Sequence, residues 1–214
     1  TVITEQAKQN VQKCLESGRL SEGQWVKKFE IDLCRTFNYK YPLTVNSGTS
    51  ALHLVLHEIG VGEGDEVIIP AQTFVATGMV VLQCGAKVVF ADIDIKTGNI
   101  SPDDVEEKIT YRTKAVIAGS WGGNPCDLDR LQTICKEHNI YLIQDNAQAL
   151  GATYKDRPVT EWGDFSCFSF QATKHLTTGD GGMIVTRNTT DLKILQNLRW
   201  FGIDRANDLP DETG

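Results

Sequence analysis

The sequence predicts an α/β fold: three layers, with helices on both faces of a mostly parallel central sheet. Two observations carry this. Short, continuously apolar runs recur along the chain, and stretches with apolar residues at helical spacing separate them. Strands covered on both faces read as unbroken apolar runs, and the intervening helices supply the long crossovers that parallel pairing requires.

The elements follow in order. The first residues carry two helical patterns broken at Ser17-Gly18-Arg19, the second with Trp25, Val26, Phe29, Leu33 and Phe37 on one face. Such a stripe needs a larger body to pack on, so residues 1–38 are expected to form a helical segment against a main domain at residues 39–214. From Tyr41 the period changes, and strands are expected at residues 42–45, 67–69, 88–91, 115–118 and 140–143. Between them, Leu52, Val55, Leu56 and Ile59 mark one amphipathic helix, and Leu128, Leu131, Ile134 and Cys135 another. Gly60, Gly62, Gly64, Gly85 and the Gly122-Gly123-Asn124-Pro125 run punctuate the alternation as turns. Two more strands, 165–170 and 183–186, bracket a polar, glycine-rich loop, and a last helix is expected at 191–200.

Composition removes several function classes. Of 214 residues, 41% are hydrophobic and 23% charged, which is globular rather than disordered. No run is long and apolar enough for a membrane span, and the polar opening residues do not resemble a secretory signal. With 21 basic against 28 acidic residues, a net charge of −7 and no basic cluster, nothing recommends nucleic acid as a partner. The cysteines at 14, 34, 84, 126, 135 and 167 form no C-x-x-C pair, so they read as scattered thiols of a reduced compartment, the cytoplasm. His53 and His57 stand one helical turn apart but lack the glutamate of H-E-x-x-H, and no metal site is expected.

In an open α/β sheet, chemistry collects beyond the C-terminal ends of the strands. Three such points stand out. Asn46-Ser47-Gly48-Thr49-Ser50 follows a strand and opens a helix, where free N–H groups, the helix dipole and hydroxyls can cradle a phosphate or, more modestly, cap the helix. Asp145 ends the run at 140–143, where a carboxylate in a crevice asks for a positive partner or serves as a turn residue. Lys174 lies between a strand and the Gly179-Asp180-Gly181-Gly182 loop, a setting for a desolvated amine. A phosphate cradle, a buried anion and a reactive amine in one crevice are together the complement of pyridoxal 5′-phosphate (PLP).

The strings Ser47-Gly48-Thr49-Ser50-Ala51-Leu52, Asp145-Asn146-Ala147-Gln148-Ala149-Leu150-Gly151-Ala152 and Ser169-Phe170-Gln171-Ala172-Thr173-Lys174 resemble the DegT/StrS family of PLP-dependent sugar aminotransferases. Gly64-Asp65-Glu66-Val67-Ile68, Pro70-Ala71-Gln72-Thr73-Phe74, Asp92-Ile93-Asp94 and Asn124-Pro125-Cys126-Asp127-Leu128 extend the resemblance over nearly the whole chain. It implies the large domain of an aspartate aminotransferase-like fold, lacking the smaller C-terminal domain that follows in family members.

By the same resemblance Lys174 would form the Schiff base with the cofactor aldehyde and carry the proton in catalysis, while Asp145 would pair with the pyridine nitrogen. Phe74 would lie on the ring face and Gln148 would bond the phenolic oxygen. Gly48, Thr49, Ser50 and Ser169 would hold the phosphate. The reaction implied is ping-pong transfer of an amino group from an amino acid, such as glutamate, to a keto-sugar nucleotide, in a homodimer with a shared active site. Family members that deoxygenate sugars carry histidine at the lysine position, so Lys174 favours amino transfer. Gln144, Asn146 and Gln171 depart from the common family pattern and bear on subgroup. Sugar dehydration, 3-amino-5-hydroxybenzoate formation, and a PLP-binding module without catalysis of its own are the alternatives.

Overall fold

The computed structural model describes residues 2–204; Thr1 and residues 205–214, the outer ends of the two expected segments, lie outside the described residues. Helices α1 (Glu5–Glu16) and α2 (Gln24–Phe37) precede β1 (Pro42–Val45). There follow α3 (Gly48–Glu58), β2 (Glu66–Pro70), α4 (Val75–Gln83), β3 (Lys87–Ala91), α5 (Pro102–Lys108), β4 (Thr113–Gly119), α6 (Leu128–Glu137) and β5 (Tyr141–Asp145). A short hairpin, β6 (Thr153–Tyr154) and β7 (Arg157–Pro158), leads to β8 (Phe165–Ser169), β9 (Gly182–Thr186) and α7 (Thr189–Arg199).

One sheet takes the order β1-β9-β8-β5-β4-β2-β3. β9 runs antiparallel to β1 and β8, and the remaining pairings are parallel, as the sequence predicts. Each expected strand is present, with ends shifted by a residue or two; Phe170 falls just beyond β8 and Ile140 just before β5. The β6–β7 hairpin was not expected, since strands this short show no alternation. Its turn, Lys155-Asp156, takes positive φ at both residues (50° and 60°), the geometry that matches hairpin twist.

The sheet divides the core. Along β5, Leu142 packs with α2, α5 and α6 residues on one face, while Ile143 packs with α3, α4 and α7 residues on the other. On α6, Leu128, Leu131, Ile134 and Cys135 are all buried, the first three each worth about 1.5–3 kcal/mol of transfer free energy. Start signals lie where the chain provides hydroxyls and amides: Ser47 accepts from Ser50 N, Ser101 from Asp104 N and Asn188 from Asp191 N. The outer edge of β1 is covered rather than bare. Glu30 accepts from Thr44 N at 2.9 Å, and Arg199 Nη1 donates to Thr44 O at 2.8 Å. Among the described residues all six cysteines are free, and no helix is long and apolar enough to cross a membrane.

Candidate active site

The parallel strands end on one side of the sheet, and the residues beyond them line a cavity of about 410 Å³. Gly48 and Thr49 enter from the first turn of α3, Phe74 from the N-cap of α4, and Asp145 from the last position of β5. Gln148 follows in the next turn, Ser169 ends β8, and Lys174 comes from the loop between β8 and β9. Ser50 is placed differently. Its hydroxyl lies 2.9 Å from Ser47 Oγ, and it lines a neighbouring cavity beside α2.

The α3 end of the cavity is built by close approach. Ser47 Oγ caps the helix, accepting from Ser50 N at 3.0 Å, while the N–H groups of Gly48 and Thr49 have no acceptor within the helix. A Cβ on Gly48 would stand 2.9 Å from Ser169 Cβ, and one on Gly182 would stand 2.3 Å from the carbonyl carbon and oxygen of Ser47. Glycines at these positions therefore let the strand ends and the helix start meet. The loop carrying Lys174 is tied at its base, where Phe170 N donates to Gly181 O at 2.8 Å and Thr178 N to Phe170 O at 3.0 Å.

Asp145 forms the floor. Thr77 Oγ1 donates to its Oδ2 at 2.8 Å and Ala147 N to its Oδ1 at 3.2 Å. Removal from solvent pushes its pKa up, against the pull of those two donors and of Lys174 acting through space. No ion pair reaches it among the described residues. A carboxylate held in place yet short of positive charge is what a protonated ring nitrogen would complete. Gln148 is oriented too: its Oε1 accepts from Gly122 N at 2.7 Å, which leaves Nε2 to donate, as a phenolate oxygen requires. Phe74 is 67% exposed at the rim, hence no core aromatic and available to lie on a ring. The residues fit PLP: anion cradle, ring-nitrogen partner, phenolate donor, aromatic wall and amine all face one cavity.

Sequence reasoning missed the groups that hold these in place. Thr77 lies wholly buried on α4, with no motif around it beyond a hydroxyl in an apolar helix. Gln144 and Asn146 are buried in one neutral chain: Ser120 Oγ donates to Asn146, Asn146 Nδ2 to Gln144 Oε1, and Gln144 Nε2 to the Val159 and Trp162 carbonyls. Two of the departures from the family pattern, Gln144 and Asn146, thus place hydrogen-bonded amides, not charges, beside Asp145. Trp121 lines the cavity as well, from a turn whose Gly122 takes φ 62°.

The chain is similar to GDP-perosamine synthase of Escherichia coli O157:H7, 40% identical over 189 residues that cover 88% of this chain and 52% of that one. The putative sugar aminotransferase Spr1654 from Streptococcus pneumoniae in its PMP form superposes with TM-score 0.89 at 34% identity, covering 96% of this chain and 57% of that one. E. coli GDP-4-keto-6-deoxy-D-mannose-3-dehydratase with bound hydrated PLP matches with TM-score 0.89 at 31% identity, over 97% and 55% of the two chains. The chain spans about half the length of the curated relatives it matches. The family model matches residues 1–212 of the 214, and the chain belongs to the DegT/DnrJ/EryC1/StrS aminotransferase family.

Proposed function

We propose that this chain is the PLP-binding part of an aminotransferase that converts a keto group on a nucleotide-linked sugar to an amine, with an amino acid such as glutamate as donor in a ping-pong cycle. In this reading residues 39–214 are the cofactor domain and residues 1–38 its packed helical segment. The observation that carries it is the convergence of Lys174, Asp145, Gln148, Phe74, Ser169 and the start of α3 on one cavity. Bound PLP supplies an electron sink for the electron pair released at the donor's α-carbon.

The protein's own part is positional and electrostatic. Asp145 holds a proton at the ring nitrogen, and Thr77 and Ala147 N fix the carboxylate so that it cannot turn away. Lys174 takes the proton from the donor carbon and returns it on the far side of the transfer, so one amine serves both half-reactions. The first turn of α3, with Thr49 and Ser169, holds the phosphate, and Phe74 keeps water from one ring face. A homodimer sharing this site belongs to the proposal, supported by apolar side chains exposed at the cavity rim. A cytoplasmic setting is supported by the six unpaired thiols.

The test is direct. Mixed with PLP, the chain should gain a visible absorbance band, and borohydride should then leave a pyridoxyl group on Lys174 by mass spectrometry. Added glutamate should shift the band and yield 2-oxoglutarate. Labelling of another lysine overturns the site assignment, and labelling of Lys174 without turnover of glutamate favours a PLP-binding module without catalysis of its own.

A further inference from the structure

Away from the cofactor cavity, a second group of side chains converges between α3 and α4. His53 and His57 stand one turn apart on α3, their ring centroids 4.9 Å apart at an interplanar angle of 60°. Cys84 caps the C-terminal end of α4. One ligand atom from each of the three lies within 4.8 Å of the other two. The histidine pair is visible in the sequence; the thiol reaches it only when α4 folds against α3. His53 Nε2 is shielded from solvent and has no hydrogen-bond partner among the described residues. A ring nitrogen deprived of both water and partner costs free energy that ligation recovers.

We propose that His53, His57 and Cys84 bind a thiolate-avid divalent cation, zinc foremost, with the fourth position left to water or an outside ligand. Three atoms this close share a point within about 2.8 Å of each, against roughly 2.3 Å for a zinc–thiolate and about 2.0–2.1 Å for a zinc–imidazole bond. Small side-chain rotations close that gap. Imidazole and thiolate without carboxylate select zinc over magnesium or calcium. His57 is exposed, so the ion has a way in from solvent, and the Cys84 thiol proton leaves to solvent as the sulfur–metal bond forms. The bound ion would brace α3, which carries Gly48 and Thr49, against α4, which carries Phe74 and Thr77.

Cobalt(II) added to the purified chain tests this. A single thiolate ligand should give a sulfur-to-metal charge-transfer band, and a four-coordinate ion intense visible ligand-field bands, both displaced by zinc. Cys84→Ser should abolish the charge-transfer band. His57→Ala, which removes a direct ligand from an exposed position and leaves the core alone, should weaken binding by more than the roughly 10–100-fold that loss of an outer-shell partner costs. Zinc should raise the melting temperature of the parent chain and not that of either variant. Absence of the band at equimolar cobalt, or a band that survives in Cys84→Ser, overturns the site. If Cys84→Ser fails to fold by circular dichroism, unchanged cobalt affinity in His57→Ala overturns it equally.

Discussion

At the scale of single residues, Asp145 shows what a buried carboxylate costs the protein that carries it. Its pKa is raised from the ordinary 3.8 because burial disfavours the charged form more than Thr77, Ala147 N and Lys174 restore it. The folded chain therefore binds this proton more tightly than the unfolded chain. Stability contributed by the group is full below 3.8 and is lost as pH rises through the raised value. Asp145→Asn, which keeps the shape and removes the charge, should melt at a higher temperature than the parent at neutral pH without PLP. If the proposed function holds, the same variant should slow the reaction with glutamate by about 10²–10³-fold, the scale for losing one preorganised electrostatic partner. A variant less stable than the parent would contradict the burial argument. Asp145 and Lys174 were legible because each lies beyond the end of an apolar run, whereas Gln148 was named only through the family resemblance. Thr77 was not, since a threonine among the valines, Met79 and Leu82 of α4 looks like core until the fold sets it against a carboxylate.

At the scale of elements, strands β1 to β5, β8 and β9 were readable from apolar runs because most of the sheet is covered on both faces and burial leaves its mark, although edge strand β3 leaves Lys87 and Phe90 exposed. The approach of one element to another leaves no such mark. Gly182 reads as one more loop glycine, yet in register it lies between Val45 of β1 and Ser169 of β8, with Ser47 directly above. Gly182→Ala must displace backbone, so it should cost about 1–3 kcal/mol by denaturant unfolding and lower PLP affinity by moving the start of α3. The far end of α3 carries a different burden. Burial, with Asp191 nearby, pushes Glu58 from its ordinary 4.5 up to about 8, and its Oε2 has no partner among the described residues. The shift is upward for an acid, so stability falls as pH rises from 4.5 through about 8. Melting temperatures of Glu58→Gln measured from pH 5 to pH 9 should exceed those of the parent most at the alkaline end. Parallel curves would remove Glu58 from the account.

At the scale of the whole molecule, the two ends of the sheet are treated unequally. Beyond β1 lies a covered edge, where α2 and Arg199 occupy the backbone of Thr44. At the β3 end, Val75, Met79 and Leu82 form an apolar stripe at helical spacing on α4 and remain exposed, joined by Phe74 at the cavity rim and Phe90 on β3. A helix that buries Thr77, Val80 and Val81 against the sheet and also presents an apolar outer face has two faces to cover, and the fold covers one. A second copy of the chain packed on this stripe would close the cavity rim as it buried the outer face, which ties oligomeric state to the site. Light scattering should then report about twice the 23.7 kDa of the chain. Met79→Glu, which puts a charge in the middle of the stripe without touching the core side of α4, should return the mass to that of one chain. It should also weaken PLP binding, because Phe74 loses its cover, while leaving the melting temperature of the monomer little changed. A parent chain that runs as a monomer, or a Met79→Glu variant that still pairs, would separate the stripe from assembly and leave the cavity to be completed within one chain.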